Sequence, residues 1–261
     1  MLIPALPDGT GDPFPPVPLP RLQLFQTGLS RLDFFKLDNP LSSKPFEAFS
    51  PVEKNAARIS ITENPNLETI SFDSVESGIS GLEITRNHPS CYLSMDALKS
   101  VAGNVTFTRI GSFSLPNLED IAGDMVVSGA YVSEVSLPKL RTITGSFEVT
   151  SNPSLLTLSL PSLTKLNDGD EGSVRIWSNP LLKSIEMPLL KTAASIQISS
   201  NGKLETLGMG SLQFVGEKVA ESWSGRGGFG VRDNPLLQRL DGFAEFQFAV
   251  GPVEFMGGFE S

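Results

Sequence analysis

Histidine and cysteine are almost absent from this chain, which contains one residue of each, His88 and Cys91. A single cysteine cannot build an internal disulfide framework. One thiol and one imidazole also leave too few ligands for a thiolate site or a histidine cluster around zinc. The sequence therefore predicts no bound metal, no cofactor and no catalytic centre that depends on histidine.

Basic charge and long apolar runs are scarce as well. The chain of 261 residues has 20 Lys and Arg against 29 Asp and Glu, a formal net charge of −9. An acidic surface repels the phosphates of nucleic acids and of anionic lipids. No stretch approaches the roughly 18 consecutive apolar residues of a membrane-spanning helix. We therefore expect no nucleic-acid partner and no direct membrane span in this stretch.

The first 20 residues lack the basic n-region and the uninterrupted apolar segment of an ordinary signal peptide, so no signal peptide is visible. They are rich in proline instead, which predicts an extended leader or linker over residues 1–20. A proline-rich ligand for a groove-type domain is the sharper alternative.

A unit built around Asn-Pro-x-Leu returns along the chain. Its copies are NPNLETISFDSV from Asn64, NPSLLTLSLPSLTKL from Asn152, NPLLKSIEMPLLKTA from Asn179, NPLLQRLDGF from Asn234 and, in degraded form, NGKLETLGMGSL from Asn201. Self-similarity at a short period indicates a solenoid, in which one supersecondary unit stacks on the next. Because a solenoid is mostly surface, this repeat favours a binding function over a catalytic one.

An alternating stretch precedes each corner. Its apolar pairs, which we expect to point inward, are Ile59/Ile61, Leu82/Ile84, Val105/Phe107, Met125/Val127, Phe147/Val149, Val174/Ile176, Ile196/Ile198 and Phe229/Val231. Alternation over about five residues predicts a half-buried strand. Two further short apolar segments complete each unit and leave no room for a helix. We predict an all-β parallel solenoid of about eight coils with capped ends.

Asparagine recurs at the corner after the first strand, as Asn64, Asn87, Asn152, Asn179, Asn201 and Asn234. Asparagine tolerates turn conformations, and its amide can satisfy backbone groups that a bend leaves free. Stacked at one corner, such amides can also bond to the next coil. We therefore predict a structural asparagine ladder.

The order of strand, Asn-Pro-x-Leu, Leu-Pro-x-Leu and glycine is clearest in GSFEVTSNPSLLTLSLPSLTKL (145–166) and GSVRIWSNPLLKSIEMPLLKTA (172–193). This pattern resembles the receptor L-domain family, over roughly residues 55 to 243. The resemblance implies a right-handed parallel β-helix, similar to a leucine-rich repeat. It also implies an extracellular or cell-surface location, because the family occurs in growth-factor receptor ectodomains and fungal GPI-anchored cell-wall proteins. Unlike the receptor members, this chain carries only one cysteine.

Outside the leader, the repeat divides the chain into three parts. Apolar density without clear coil spacing predicts an N-terminal cap over residues 21–54, because the open end of a solenoid needs cover. Residues 55–243 form the predicted solenoid. The phenylalanine-rich residues 244–261 are predicted to form a C-terminal cap or a truncated further coil.

Outward-facing residues of the first strand supply the main candidate binding site. Alternation directs Glu148, Arg175 and Trp177 outward, and Arg232 lies in the same outward column as Trp177. Tryptophan and arginine are the residues most often found at interface hot spots. Two alternatives remain: an ion pair between Glu148 and Arg175 along the sheet, and partial cover of Trp177 by an adjacent loop.

Two insertions interrupt the repeat. The longer, residues 216–230, brings Trp223 and Arg226, which either contact a ligand or pack the loop onto the coil beneath. The shorter, residues 167–171, concentrates carboxylates, which suits a solvated acidic turn better than a calcium loop. A single glycosylation triplet, Asn104-Val105-Thr106, would matter only in an exported eukaryotic protein.

These observations favour a non-catalytic recognition or scaffold module that binds a protein or a glycan. The alternative is a carbohydrate-active β-helical enzyme, a hydrolase or lyase. Such an enzyme needs paired carboxylates. Glu83 and Glu148 share a column but are separated by three coils, or about 14 Å at about 4.8 Å per coil.

Overall fold

The computed structural model describes residues 21–25, 31–33, 57–166, 172–219, 222–224, 228–240 and 243–257. These residues form short strands joined by turns, and they contain no helix. The predicted leader over residues 1–20 lies outside them, as does most of the predicted N-terminal cap.

The strands follow one another in chain order. The first nine are β1 (Arg21–Phe25), β2 (Arg31–Asp33), β3 (Ala57–Thr62), β4 (Thr69–Ser71), β5 (Ile79–Thr85), β6 (Tyr92–Ser94), β7 (Ser100–Val101), β8 (Val105–Thr108) and β9 (Ser112–Ser114). The next nine are β10 (Asp120–Ile121), β11 (Met125–Ser128), β12 (Glu134–Ser136), β13 (Thr142–Ile143), β14 (Phe147–Thr150), β15 (Thr157–Ser159), β16 (Lys165–Leu166), β17 (Ser173–Trp177) and β18 (Ser184–Glu186). The last nine are β19 (Thr192–Ala193), β20 (Ser195–Ser199), β21 (Thr206–Gly208), β22 (Phe214–Val215), β23 (Glu217–Val219), β24 (Ser222–Ser224), β25 (Phe229–Asn234), β26 (Phe248–Ala249) and β27 (Val253–Gly257).

Strands from successive coils pair in parallel, so each turn of the chain adds one strand to each side of the solenoid. The first and largest sheet runs β1-β3-β5-β8-β11-β14-β17-β20-β25-β27, with β7, β10, β13 and β16 joined to it through β5. The second sheet is β2-β4-β6-β9, the third is β12-β15-β18-β21 and the fourth is β19-β22-β26. The predicted parallel β-solenoid of about eight turns is confirmed.

The inward pairs of the first sheet form continuous apolar columns. Every residue of the predicted pairs is buried, and Ile59, at 3% exposed, is the most accessible of them. Full burial of such a side chain contributes about 1.5–3 kcal/mol. Because alternate residues of a strand face opposite sides, the same register directs the intervening residues outward. The columns therefore fix the outer surface as well as the core.

The asparagine corner carries a hydrogen-bonded ladder. The backbone amides of four asparagines donate to the side-chain oxygen of the asparagine one coil further on, over 3.0–3.1 Å; the pairs are Asn64/Asn87, Asn152/Asn179, Asn179/Asn201 and Asn201/Asn234. Ile110 and Ala130 occupy the equivalent corner in two middle coils, so the ladder is in two sections. Even there, the Ala130 amide donates to the side-chain oxygen of Asn152 at 2.8 Å.

The left-handed turn at this corner falls on the residue before the asparagine position, not on the asparagine itself. Its members, with φ between 53° and 58°, are Glu63, Arg86, Arg109, Gly129, Ser151, Ser178, Ser200 and Asp233. Only one of them is glycine, although this conformation is costly for other residues. The ladder therefore holds a column of strained backbone in place.

Strands continue the coil pattern at both ends. In the region of the predicted N-terminal cap, β1 pairs in parallel with β3 and places Leu22 opposite Ile59, while β2 pairs with β4. In the region of the predicted C-terminal cap or truncated coil, β27 pairs with β25, and β26 pairs with β22. The described strands of both regions are thus built as further coils.

Candidate binding surface

Glu148, Arg175 and Trp177 lie on the outer surface of the first sheet, on adjacent strands. Glu148 of β14 is the register partner of Arg175 of β17, and Trp177 is two residues further along β17. Arg175 and Trp177 are exposed, whereas their strand neighbours Val174 and Ile176 are fully buried. We call the outer surface formed by Glu148, Arg175 and Trp177 the Trp177 face.

The backbone of Trp177 is held firmly by the corner that follows it. Its carbonyl oxygen accepts a hydrogen bond from the Ser151 amide at 3.1 Å and another from the side-chain amide of Asn179 at 3.2 Å. Ser178, between Trp177 and Asn179, has a φ of 58°. An aromatic side chain on such fixed backbone can contact a ligand with little further loss of backbone entropy.

Trp177 keeps 43% of its surface exposed, and Leu181, beyond the same corner, is 43% exposed as well. Tyr131, Leu156 and Leu236 are exposed apolar residues that follow the corresponding corner in other coils. Exposed apolar side chains can contribute to interaction surfaces. The Trp177 side chain itself remains substantially accessible.

The Glu148 carboxylate and the Arg175 guanidinium of the Trp177 face do not form an ion pair with each other. The ion pairs within the described part of the chain include Arg58–Glu83, Arg86–Glu63 and Arg141–Glu119, but none joins Glu148 to Arg175. Their α-carbons are in register even so. Among the described residues, the two charges therefore do not form an ion pair with each other.

Arg232 lies two strands from Trp177 in the same outward column, with Ser199 between them. Its guanidinium is ion-paired with Glu254 of β27. A ligand would have to compete with that carboxylate. As a contact residue, Arg232 is thus less accessible than Arg175.

The remaining predicted site residues lie elsewhere. The long insertion contains an antiparallel hairpin, β23 and β24, in which Trp223 is the register partner of Lys218. The structure does not describe the Trp223 side chain, and Arg226 lies outside the described residues. Asn104 is exposed, and its side-chain oxygen accepts a hydrogen bond from the Asp124 amide at 3.0 Å.

Metal and thiol chemistry find no support in the described coils. Those coils contain no group of three or more His, Cys, Asp or Glu side chains suited to a metal ion. The acidic insertion 167–171 lies outside them. Cys91 is fully buried, and burial raises the pKa of its thiol to about 12. A thiol that stays protonated is a poor nucleophile.

A cleft at the end of the third sheet was not predicted from the sequence. Its volume is about 620 Å³, and it is lined by Glu186, Glu205, Thr206, Leu207, Gly208, Leu236, Gln238 and Arg239. It lies beside β21, the last strand of that sheet, at the point where the described residues 238–240 of the following coil form no strand. Two carboxylates, those of Glu186 and Glu205, line it.

A signal for this cleft is present in the sequence. The corner leucine and the next core residue are Leu182 and Met187 in one coil and Leu204 and Met209 in the next. The corresponding interval in the last of these coils, from Leu237 to Phe243, is one residue longer. Leu240 keeps the three-residue spacing of Ile185 and Leu207 from the corner leucine and packs against the core, so the extra residue comes after it. Residues 238–240 nevertheless form no strand beside β21.

Comparisons with known proteins agree with the fold. Residues 99–192 match the family model described as Receptor L domain, which confirms the resemblance seen in the sequence. A cell surface GPI-anchored protein of Arthroderma benhamiae is 28% identical over 156 residues, 59% of this chain and 38% of the relative. Protein ecm33 of Aspergillus fumigatus is 29% identical over 43% of this chain and 28% of the relative.

A third relative, cell wall protein ecm33 of Schizosaccharomyces pombe, is 27% identical over 54% of this chain and 32% of the relative. The chain thus spans well under half the length of the curated relatives it matches. No solved structure matches it. Among the described residues there is no helix with the length and apolar character needed to cross a membrane.

Proposed function

We propose that this chain is a non-catalytic recognition or scaffold module of a cell-surface or cell-wall protein, and that it binds a protein or a glycan through the Trp177 face. The observation that carries the proposal is Trp177 itself. It is 43% exposed on a strand whose inward residues are fully buried. A partly exposed aromatic ring on rigid backbone offers a partner a large contact area at low entropic cost.

The chemistry around Trp177 suits both kinds of ligand. The Arg175 guanidinium and the Glu148 carboxylate provide hydrogen-bonding groups of opposite charge beside the indole ring. Ser199 of β20, a register partner of Trp177, adds a hydroxyl. A sugar ring could stack on the indole while its hydroxyls bond to these groups, and a protein could place an apolar side chain there.

The location is supported by the relatives. One is named a cell surface GPI-anchored protein and another a cell wall protein. An acidic chain without a disulfide framework is compatible with that location, because its stability comes from the long apolar columns. If the protein is exported by a eukaryote, exposed Asn104 is the proposed glycosylation site.

A carbohydrate-active enzyme is the second candidate, and one observation favours it. Glu186 and Glu205 line the same cleft, and glycoside hydrolysis uses two carboxylates. They lie on adjacent coils, three residues apart along the strand direction, so their α-carbons are about 11 Å apart by strand geometry. The names of the relatives give no support to catalysis.

The experiment is a binding screen with the full chain against soluble β-glucan, mannan and chitin oligosaccharides and against purified cell-surface protein fractions. For any probe that binds, Trp177→Ala should weaken binding at least about tenfold, as expected for a hot-spot aromatic residue. Tyr92→Ala is the matched control, because Tyr92 is also exposed, at 39%, but lies on the second sheet.

Two results would defeat the proposal. One is a probe that binds equally to the wild type and to Trp177→Ala. The other is reproducible glycan cleavage that is lost in Glu186→Gln or Glu205→Gln, which would establish the enzyme instead.

A further inference from the structure

The cleft beside β21 exposes a strand edge that pairs with none of the described residues of the next coil. On its inner side, β21 pairs with β18, and the bonds include Thr206 N–H to the Lys183 carbonyl at 3.1 Å and Met187 N–H to the Gly208 carbonyl at 2.8 Å. On its outer side, no backbone hydrogen bond connects Thr206–Gly208 to the described residues of the next coil. The alternate backbone groups of such an edge remain available to another strand.

Residues 238–240, opposite this edge, form no strand, and the described residues on either side of the segment from Leu237 to Phe243 are well anchored. Leu237 N–H donates to the Asn234 carbonyl at 3.0 Å, and Phe246 N–H donates to the Phe243 carbonyl at 3.1 Å. The same turn bonds close the corners of the regular coils. The opening is thus a local feature of one coil, flanked by regular corners.

The cleft is lined by two carboxylates, Glu186 and Glu205, and by one cation, Arg239. Among the described residues, neither Glu186 nor Glu205 forms an ion pair or a side-chain hydrogen bond. The Glu186 carboxylate lies across Gly208: a β-carbon at that position would be 2.3 Å from Glu186 Oε2. A glycine here therefore lets the carboxylate reach over the strand edge. Arg239, on the opposite wall, already takes part in another interaction.

We propose that an extended peptide segment bearing a lysine or arginine docks in this cleft as an added strand along β21. Its backbone would bond to the free edge, in the manner of β-strand addition. Its basic side chain would contact Glu186 and Glu205, and its apolar side chains would contact Leu207 and Leu236. This site lies on the third sheet and shares no residue with the Trp177 face, so it does not depend on the function proposed for that face.

Two features of the cleft favour a peptide over other occupants: the backbone groups along β21 and the carboxylates of Glu186 and Glu205. A glycan could use the carboxylates but not the row of backbone groups on β21. A second copy of this chain would bring its own acidic surface, since the net charge is −9, and like charges oppose such a contact. A basic, extended peptide could form backbone hydrogen bonds with β21 and also place a positive charge beside Glu186 and Glu205.

The test uses the full chain and three fluorescein-labelled octapeptides of alternating threonine and valine. One has a central lysine, the second has glutamate there, and the third has lysine with prolines at two flanking positions. We expect saturable binding of the lysine peptide and much weaker binding of the other two, because glutamate is repelled and proline blocks strand pairing. In addition, the peptide should slow hydrogen exchange at Leu207.

Variants of the chain locate the site. Glu186→Gln and Glu205→Gln should each weaken binding of the lysine peptide about threefold to fivefold, as expected for partly exposed charge pairs. Glu68→Gln is the matched control: Glu68 occupies the coil position of Glu205, but the adjacent strand β4 is paired on both sides. Trp177→Ala should leave peptide binding unchanged, so the two proposals fail separately.

Several results would overturn this proposal. They are absence of saturable binding by the lysine peptide, equal binding of the proline peptide, or binding insensitive to both glutamine variants. Protection of Leu207 by an oligosaccharide, or a dimer in sedimentation that Glu186→Gln dissociates, would assign the cleft to a different occupant and equally reject the peptide.

Discussion

The side-chain oxygen of Asn179 accepts two hydrogen bonds from Asn152, one from its backbone amide at 3.1 Å and one from its side-chain amide at 3.0 Å. The Asn179 side-chain amide donates in turn to the Val149 carbonyl at 3.0 Å and to the Asn201 side-chain oxygen at 3.1 Å. One fully buried amide group thus connects three successive coils.

Replacement of this amide should therefore be costly. Asn179→Ala should lower the free energy of unfolding by about 1–3 kcal/mol, because it leaves buried backbone groups without partners. Urea denaturation of the full chain measures the change. Asn66→Ala is the control, since Asn66 is exposed in the equivalent turn of another coil, and it should change stability by less than about 0.5 kcal/mol. Equal stability of the two variants would mean that the ladder contributes nothing.

Among the corner residues with positive φ, the one glycine, Gly129, should lose stability when it is replaced. Gly129 has a φ of 58°, and a β-carbon there would lie 3.7 Å from Arg109 Cγ, an ordinary contact. Gly129→Ala should thus be destabilising by about 1 kcal/mol through backbone strain, partly offset by the lower entropy of the unfolded chain. Thermal unfolding followed by circular dichroism tests this, and an increased melting temperature would contradict it.

At Gly202, in contrast to Gly129, we expect a substitution to increase the stability of the protein. It follows Asn201 where Pro153, Pro180 and Pro235 follow their asparagines in other coils. A β-carbon at Gly202 would meet no atom within 4 Å. Gly202→Pro should increase stability by about 0.4–1 kcal/mol, because proline restricts the unfolded chain. The same denaturation experiment measures it, and a loss of stability would show that this corner differs from the others.

Cys91 should be unreactive in the folded protein. Since burial raises the pKa of its thiol to about 12, the thiol stays protonated at neutral pH and is shielded from reagents. A disulfide reagent at pH 8 should react with Cys91 only at the rate of unfolding, and completely in denaturant. The thiol's contribution to stability should be complete below its ordinary pKa of 9.0 and lost as pH rises towards about 12. Rapid labelling of the native protein would contradict this.

Asp73 should contribute to the pH dependence of stability in the acidic range. The Ser94 hydroxyl, and then the Ser71 hydroxyl, hold the pKa of its carboxyl below the ordinary value of 3.8. The stabilisation is therefore present above that value and is lost as pH falls through the lowered pKa. Ser94→Ala should raise the Asp73 pKa towards 3.8, as measured by NMR titration. An unchanged titration curve would show that the Ser94 hydroxyl has no role.

The core and the outward columns could be predicted from the sequence because alternation is local: Val174 and Ile176 on one side of β17 place Arg175 and Trp177 on the other. The left-handed position could not, because the residue before the corner position is glutamate, arginine, glycine, serine or aspartate in different coils, so composition carries no signal. The Arg232–Glu254 ion pair depends on β27 adding a strand, which residues 244–261 do not reveal by spacing. The cleft could be found from the sequence only by noticing that the interval from Leu237 to Phe243 is one residue longer than the corresponding interval in two earlier coils.

The most direct measurement of the central claim uses the fluorescence of Trp177. The chain has two tryptophans, so in a Trp223→Phe variant the emission comes from Trp177 alone. We predict solvent-exposed emission that acrylamide quenches readily in the free protein. A ligand identified in the binding screen should shift this emission to shorter wavelength and protect it from acrylamide. Saturating binding with no change in either property would contradict recognition through the Trp177 face.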